Sequence, residues 1–134
     1  MTVIVGAAVV GDGRLLVQQR AWPADAAGRW ELPGGRVEPG ESEVEALRRE
    51  CVEELAAAVH VGARVGADVP LPRGKVLRIY AATLADPAAR PRAVEHRAVR
   101  WIGADELDGL DWLPADRVLI PDLAALLSAR ADQP

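Results

Sequence analysis

The chain has 134 residues, half of them apolar, with no Phe and four Trp, which sets one domain over 1–134 with a real core as the expectation. A formal net charge of −4 argues against a polymeric nucleic-acid partner held on a basic surface, and a single Cys leaves neither a disulfide framework nor a cysteine zinc site. No basic leader precedes an apolar run and nothing approaches about 18 uninterrupted apolar residues, so a cytoplasmic protein without membrane partners is expected. In chain order, Thr2 to Val10 is nearly all apolar and β-branched, which predicts a strand buried on both faces. Gly11-Asp12-Gly13 is a turn signal and Arg14 to Arg20 (RLLVQQR) is the returning strand, so 2–20 is expected to form a hairpin. Ala21 to Gly28 is a loop, and Arg29 to Leu32 a short strand feeding a glycine turn at Gly34-Gly35. Ser42 with Glu45 three residues on reads as a capping box that opens a helix with the apolar stripe Val44, Leu47, Cys51, Leu55, Ala58. On that stripe Cys51 reads as a packed thiol. Val59 to Val69 is a broken, alternating strand, Pro70 to Gly74 a loop, and Lys75 to Leu84 a strand. In the last, Leu77, Ile79 and Ala81 point one way and Val76, Arg78 and Tyr80 the other. A polar loop over 85–92, a strand from Ala98 to Ile102 and a helical turn at Ala104 to Leu107 follow. A second helix fits Arg117 to Arg130, with Pro121 tolerable only in its first turn. Mixed strands flanking one helix, with another helix at the end, predict the α/β (α+β) class, as an α/β/α sandwich.

The first helix carries the chemistry. Glu50, Glu53 and Glu54 are spaced i, i+3, i+4, which puts three carboxylates on one helical stripe. Each like-charge pair costs about 0.2–0.5 kcal/mol, and a hard divalent cation with a taste for oxygen ligands removes that cost. Glu50 and Glu54 fall beside the apolar stripe and Glu53 further round, so the carboxylates sit at the rim of the buried face. Arg49 projects away from the stripe and can reach back to Glu45 or to Glu41. A solvated acidic face with nothing bound is the ordinary reading of a glutamate pair, and the wider spacing argues against it here.

Gly35, five residues, Glu41, seven residues, Arg49-Glu50-Cys51, one residue, Glu53-Glu54 resembles the Nudix box, G-x5-E-x7-R-E-U-x-E-E-x-G-U, over residues 35–57. Every charged position matches. Ala56 stands where the pattern has Gly, Ala57 where it has a larger aliphatic, and Cys51 is a small hydrophobe. With no Gly for a left-handed cap, the helix is expected to run on a turn toward Ala58. The resemblance extends to the MutT branch through Gln19-Arg20, AGRWELPGG at 27–35, EHRAVRW at 95–101 and DWLPAD at 111–116, and within it to enzymes of cytidine triphosphates and oxidised guanine nucleotides.

The resemblance implies the Nudix fold, with a mixed sheet between the Nudix helix and a C-terminal helix. It also implies Mg²⁺- or Mn²⁺-dependent hydrolysis of a nucleoside triphosphate to monophosphate and pyrophosphate. The implied metal ligands are Glu50, Glu53, Glu54, the Gly34 carbonyl and Glu95. Glu53 is favoured as general base, ahead of Glu50 and then Glu95, and Glu41 orients Arg49. Arg20 falls where such enzymes hold phosphates, with a solvated strand-end charge as its other reading. Glu31, Leu32 and Pro33 are implied nucleotide contacts, and Leu32 with Val9 is expected to floor the base. Arg78 is either a pocket contact or a solvated charge. Asp116 falls where guanine-reading members carry Asn. An ionised Asp only accepts, which suits the N4 amino group of cytosine and opposes guanine O6. CTP and dCTP, 5-methylated dCTP included, therefore rank ahead of 8-oxo-dGTP, which an Asp could bind through N7–H or, protonated, through O6. The other reading of Asp116 is an N-cap for the C-terminal helix. Asp111 and Trp112 belong to the same wall, His60 reads as surface, and His96 is left open, pointing away from Glu95 if that stretch is extended. The rivals are a Nudix hydrolase of another nucleoside diphosphate derivative such as ADP-ribose, and a non-catalytic nucleotide-binding Nudix domain. Monomer and homodimer are both open.

Overall fold

The computed structural model describes residues 1–131. Its spine is β1 (Thr2–Gly11), the most continuously apolar segment of the chain. One edge of β1 pairs in parallel with β6 (Lys75–Leu84) from Thr2 to Val9. The other edge is shared. Ile4 to Gly6 pair antiparallel with β4 (Gly34–Arg36), and Val10 and Gly11 pair with the start of β2 (Arg14–Gln19). The expected 2–20 hairpin is therefore confined to its turn end. β4 occupies the rest of that edge, and β2 leaves to pair with β3 (Trp30–Glu31) and β7 (Ala98–Ile102). The β1–β4 pairing needs glycine, because a Cβ at Gly34 would stand 1.9 Å from the Val5 carbonyl oxygen. β5 (Val59–Leu71) closes the far edge against β6, with register shifts between Val61 and Arg64 and between Val65 and Val69. It runs two residues into the expected 70–74 loop.

Strand alternation divides the core in two. Val5, Ala7, Val9 and Leu16 face α1 (Glu43–Leu55), where Leu47, Cys51 and Leu55 meet them. Ala8, Val10, Leu15, Val17, Leu77, Ile79 and Ala81 face the other way, toward Leu123 and Leu127 of α3 (Ile120–Ala131). The result is the expected α/β/α sandwich on a mixed sheet. α1 starts as read: Ser42 Oγ accepts from Glu45 N and Glu45 Oε1 from Ser42 N, both at 3.0 Å. It stops earlier than read. Ala56 adopts φ 54° and its N–H closes on the Val52 carbonyl at 3.0 Å, so Ala fills the left-handed cap position itself. That conformation costs a non-glycine residue about 1–2 kcal/mol. Burial of Ala57 and Val59 in the core beneath α1 requires the turn and offsets the cost. The C-terminal helix is also divided: α2 (Pro114–Arg117) precedes α3, whose first turn holds Pro121. Among the described residues, no helix is long and apolar enough to cross a membrane.

Candidate active site

The last two turns of α1 lie under the β2–β4 edge, and the backbone there grips the glutamates. Glu54 Oε1 accepts from Gly34 N at 2.8 Å, and Oε2 accepts from Gln18 Nε2 at 3.0 Å. Glu50 packs on Gly35, where a Cβ would lie 2.4 Å from the carboxylate carbon. The two glycines thus do different work. Gly34 lets β4 approach β1, and Gly35 makes room for a carboxylate. Side-chain exposure is 16% at Glu50, 14% at Glu54 and 56% at Glu53, the order expected from their position on the helix. Burial raises the Glu50 carboxyl above its ordinary range despite Arg49 beside it. Burial pushes Glu54 further, to about 7, against the opposing pull of Gly34 N, His96 and Gln18.

Arg49 ties this cluster together. Its guanidinium forks onto Glu41, Nε to Oε2 at 2.7 Å and Nη2 to Oε1 at 3.0 Å. The same group reaches Glu50 Oε1 at 3.0 Å, Glu53 Oε2 at 3.3 Å and the Arg36 carbonyl at 3.1 Å. Hydrogen bonding from Arg49 holds Glu41 below the usual carboxylate range, and Glu41 in turn raises the Arg49 guanidinium. The bidentate geometry makes Glu41 the orienting partner of Arg49. Glu50 and Glu54 sit on the two glycines and Glu53 is joined to Glu50 through Arg49, and carboxylate oxygens of this kind are the donors that Mg²⁺ or Mn²⁺ takes. Among the described residues, the carboxylate and imidazole atoms that converge most closely are those of Glu31, Glu54 and His96.

A second group abuts the first. His96 Nε2 lies 2.8 Å from Glu31 Oε2, which also accepts from Arg20 Nη1 at 3.1 Å. Arg20 Nε donates to the Trp22 carbonyl at 3.1 Å, so the guanidinium is held and not free in solvent. Arg20, Trp22, Glu54, Glu95 and His96 line a cavity of about 120 Å³. Glu95 and His96 therefore face one cavity, contrary to the expectation of opposite sides. The chain bends through 94–97, and Val94 N bonds the Glu54 carbonyl at 3.2 Å. Gln18 and His96, which no spacing in the sequence marks, both reach this group of carboxylates. The fully buried side chain of Gln18 is not announced by β2's sequence, RLLVQQ, where Arg14 and Gln19 are equally polar.

The remaining sequence-derived positions separate. Asp116 is buried, and Oδ1 accepts from Leu32 N at 3.0 Å. Its carboxyl is pushed up to about 7 by burial, more than the Leu32 bond lowers it. It does not cap the C-terminal helix. The residue before α2 is Leu113, and one oxygen of the Asp116 side chain is turned to β3's exit. Trp30 N to the Asp111 carbonyl and Leu113 N to the Trp30 carbonyl hold the two segments together. Leu32 faces the α3 side of the sheet and Val9 the α1 side, so they cannot floor one pocket. Pro33 is buried, and its carbonyl accepts from Ala7 N. Arg78 pairs with Asp68 and Glu43, each at 2.7 Å. That puts it on the α1 face, in neither bulk water nor the company of Asp116. His60 is exposed on β5. Cys51 is fully buried, and burial raises its thiol to about 12, which leaves no thiolate for nucleophilic work.

The sequence matches the NUDIX domain family over residues 2–123. It is 47% identical over 132 residues to "Putative 8-oxo-dGTP diphosphatase 2" of Mycobacterium tuberculosis, covering 96% of this chain and 92% of that one. It is 37% identical to the CTP pyrophosphohydrolase of Escherichia coli, covering 100% and 97%. Among solved structures, the solution structure of the Escherichia coli ORF135 protein superposes with a TM-score of 0.81 at 35% identity, covering 99% of this chain and 95% of that one.

Proposed function

The chain belongs to the NUDIX family and is a Nudix hydrolase, and from that premise we propose that it is a metal-dependent nucleoside triphosphate pyrophosphohydrolase. The single observation that carries the proposal is the seating of Glu54 on Gly34 and Glu50 on Gly35 at the end of the Nudix helix, with Glu54 lining a cleft that also holds Arg20. A bound Mg²⁺ supplies charge neutralisation of the phosphates and polarisation of phosphorus. Glu54, bonded by Gly34 N, and Glu50, packed on Gly35 and bonded by Arg49, are suited to hold it, with Glu95 and the Gly34 carbonyl as further oxygen ligands. Glu53 is the most exposed of the three and has the clearest access to water. It takes the proton as the water oxygen bonds to phosphorus and the α–β anhydride breaks, releasing NMP and pyrophosphate. Arg49, fixed by Glu41, sets the spacing of Glu50 and Glu53. Arg20 turns its charge to the phosphates.

The substrates proposed are CTP and dCTP, with 5-methyl-dCTP included, and 8-oxo-dGTP second. Leu32 N occupies one oxygen of Asp116, leaving the other for a base. Ionised, that oxygen accepts from cytosine N4; protonated, it donates to guanine O6. Burial favours the protonated form of Asp116, and that form suits the second substrate. The names of the two relatives fall on the same two nucleotides. The test is pyrophosphate release with Mg²⁺ from the eight common nucleoside triphosphates, 5-methyl-dCTP, 8-oxo-dGTP and ADP-ribose, with an EDTA control. A leading kcat/KM for a cytidine or 8-oxoguanine nucleotide, lost in EDTA, is expected. A leading value for ADP-ribose, or turnover that survives EDTA, would overturn it.

A further inference from the structure

We propose that His96 Nδ1 and Glu54 Oε2 form a cation site of their own beside the Nudix-helix carboxylates, one that takes an imidazole-preferring transition ion such as Zn²⁺ and that Glu31 orients through His96. The His96 side chain is only 10% exposed, and its two ring nitrogens have opposite surroundings. Nε2 lies 2.8 Å from Glu31 Oε2, which can only accept when ionised, so the proton of the neutral ring belongs on Nε2. Nδ1 is then a lone pair. It is fully buried with no hydrogen-bond partner, and it faces Glu54 Oε2 at 3.6 Å. That distance is too long for a hydrogen bond, which needs about 2.7–3.2 Å. It suits an ion between the two atoms: ligands about 2.1 Å from a tetrahedral metal stand about 3.4 Å apart.

The surroundings agree. A metal-ligating histidine characteristically donates its other N–H to a carboxylate, and Glu31 is placed to receive it. Glu54 is held in advance, Oε1 by Gly34 N and Oε2 by Gln18 Nε2, so the ligand oxygen needs no reordering. Glu54 and Glu95 line the cavity with one guanidinium, Arg20, which is already paired with Glu31, and a divalent cation cancels the excess negative charge. That cavity opens the approach to the site, and Glu95 with water can complete the coordination. A nitrogen donor selects the ion. Mg²⁺ stays with oxygen ligands, whereas imidazole suits Zn²⁺ and its neighbours. The site shares Glu54 with the proposed catalytic cluster but does not depend on which nucleotide is hydrolysed.

The test is NMR of the intact chain labelled with ¹⁵N-histidine, titrated with Zn²⁺ in excess Mg²⁺. The chain has two histidines, and His60, exposed on β5, is the internal control. A saturable shift of His96 Nδ1 at one Zn²⁺ per chain is expected, with Nε2–H retained, His60 unmoved and no response to Mg²⁺ alone. An Nδ1 that keeps a proton throughout, or one that moves only in step with His60, would overturn the site. Equilibrium dialysis gives the second readout. Glu31→Gln should weaken Zn²⁺ about 10- to 100-fold and His96→Ala at least as much, whereas wild-type affinity in both would overturn it. If no nucleoside triphosphate is hydrolysed and the Nδ1 shift persists, the functional proposal fails and the cation site stands.

Discussion

Replacing Gly35 with Ala should disable the site while leaving the fold in place. The added Cβ would stand 2.4 Å from the Glu50 carboxylate carbon and 2.5 and 2.7 Å from its oxygens. Ordinary contact begins at 3.4 Å, so the carboxylate must retreat by about 1 Å. Gly35 is not among the glycines with positive φ, so the backbone accepts the methyl group, and only the side chain of Glu50 has to give. A displacement of about 1 Å at a reacting centre costs about 100-fold in rate, or about 2.7 kcal/mol of barrier. Steady-state pyrophosphate release at saturating nucleotide, repeated across a Mg²⁺ series, reads this directly. kcat should fall about 100-fold and half-saturation by Mg²⁺ should rise, with Tm within a few degrees of wild type. A kcat within about threefold of wild type and an unchanged Mg²⁺ curve would refute the placement of Glu50 as a ligand.

Glu53→Gln should keep its circular dichroism spectrum and lose about 10²- to 10⁴-fold in turnover; near-full activity would remove Glu53 as the base. Asp116→Asn should move the kcat/KM ratio from cytidine toward guanine nucleotides, and an unchanged ratio would exclude Asp116 from base recognition. The same variant should flatten a pH slope in stability. Burial lets folded Asp116 keep its proton up to about 7 while the unfolded chain loses it near 3.8. Wild-type stability from this group is thus full below about pH 4 and falls until about pH 7, by at most about 4 kcal/mol. The Tm advantage of Asp116→Asn should open over that window and then stay level, whereas parallel slopes would mean that Asp116 ionises freely in the fold. Ala56→Gly should raise stability by about 1 kcal/mol by relieving the left-handed cap, and a loss in chemical denaturation would show that the Cβ packs usefully.

The parts of the site legible in the sequence are those that helix geometry alone decides. The spacing of Glu50, Glu53 and Glu54, and of Glu41 with Arg49, fixes which carboxylates border the core and which reach the guanidinium. Where a position depends on a distant partner, local pattern fails. Gln18 and Glu54 are 36 residues apart and meet only because β2 leaves β1 for β7. His96 has no ligand spacing in the sequence, and a bend at 94–97 turns it toward Glu54. Val9 and Leu32 read as equally apolar, but which face of the sheet each lines follows from pairings that the strands do not announce. Arg78 alternates as read, yet the ions that claim it lie on α1 and β5. The end of α1 followed the same rule: nothing local to Ala56 requires a left-handed residue, and the burial of Ala57 and Val59 does.

Arg49 has one further consequence, for the order in which the molecule is assembled. An acidic helix of this kind would ordinarily resist forming until a cation arrived to quiet it. Here the chain carries its own, for one guanidinium already spans Glu41, Glu50 and Glu53. The helix can therefore form without an added cation, and the divalent ion proposed for the site need not be a fixture of the fold.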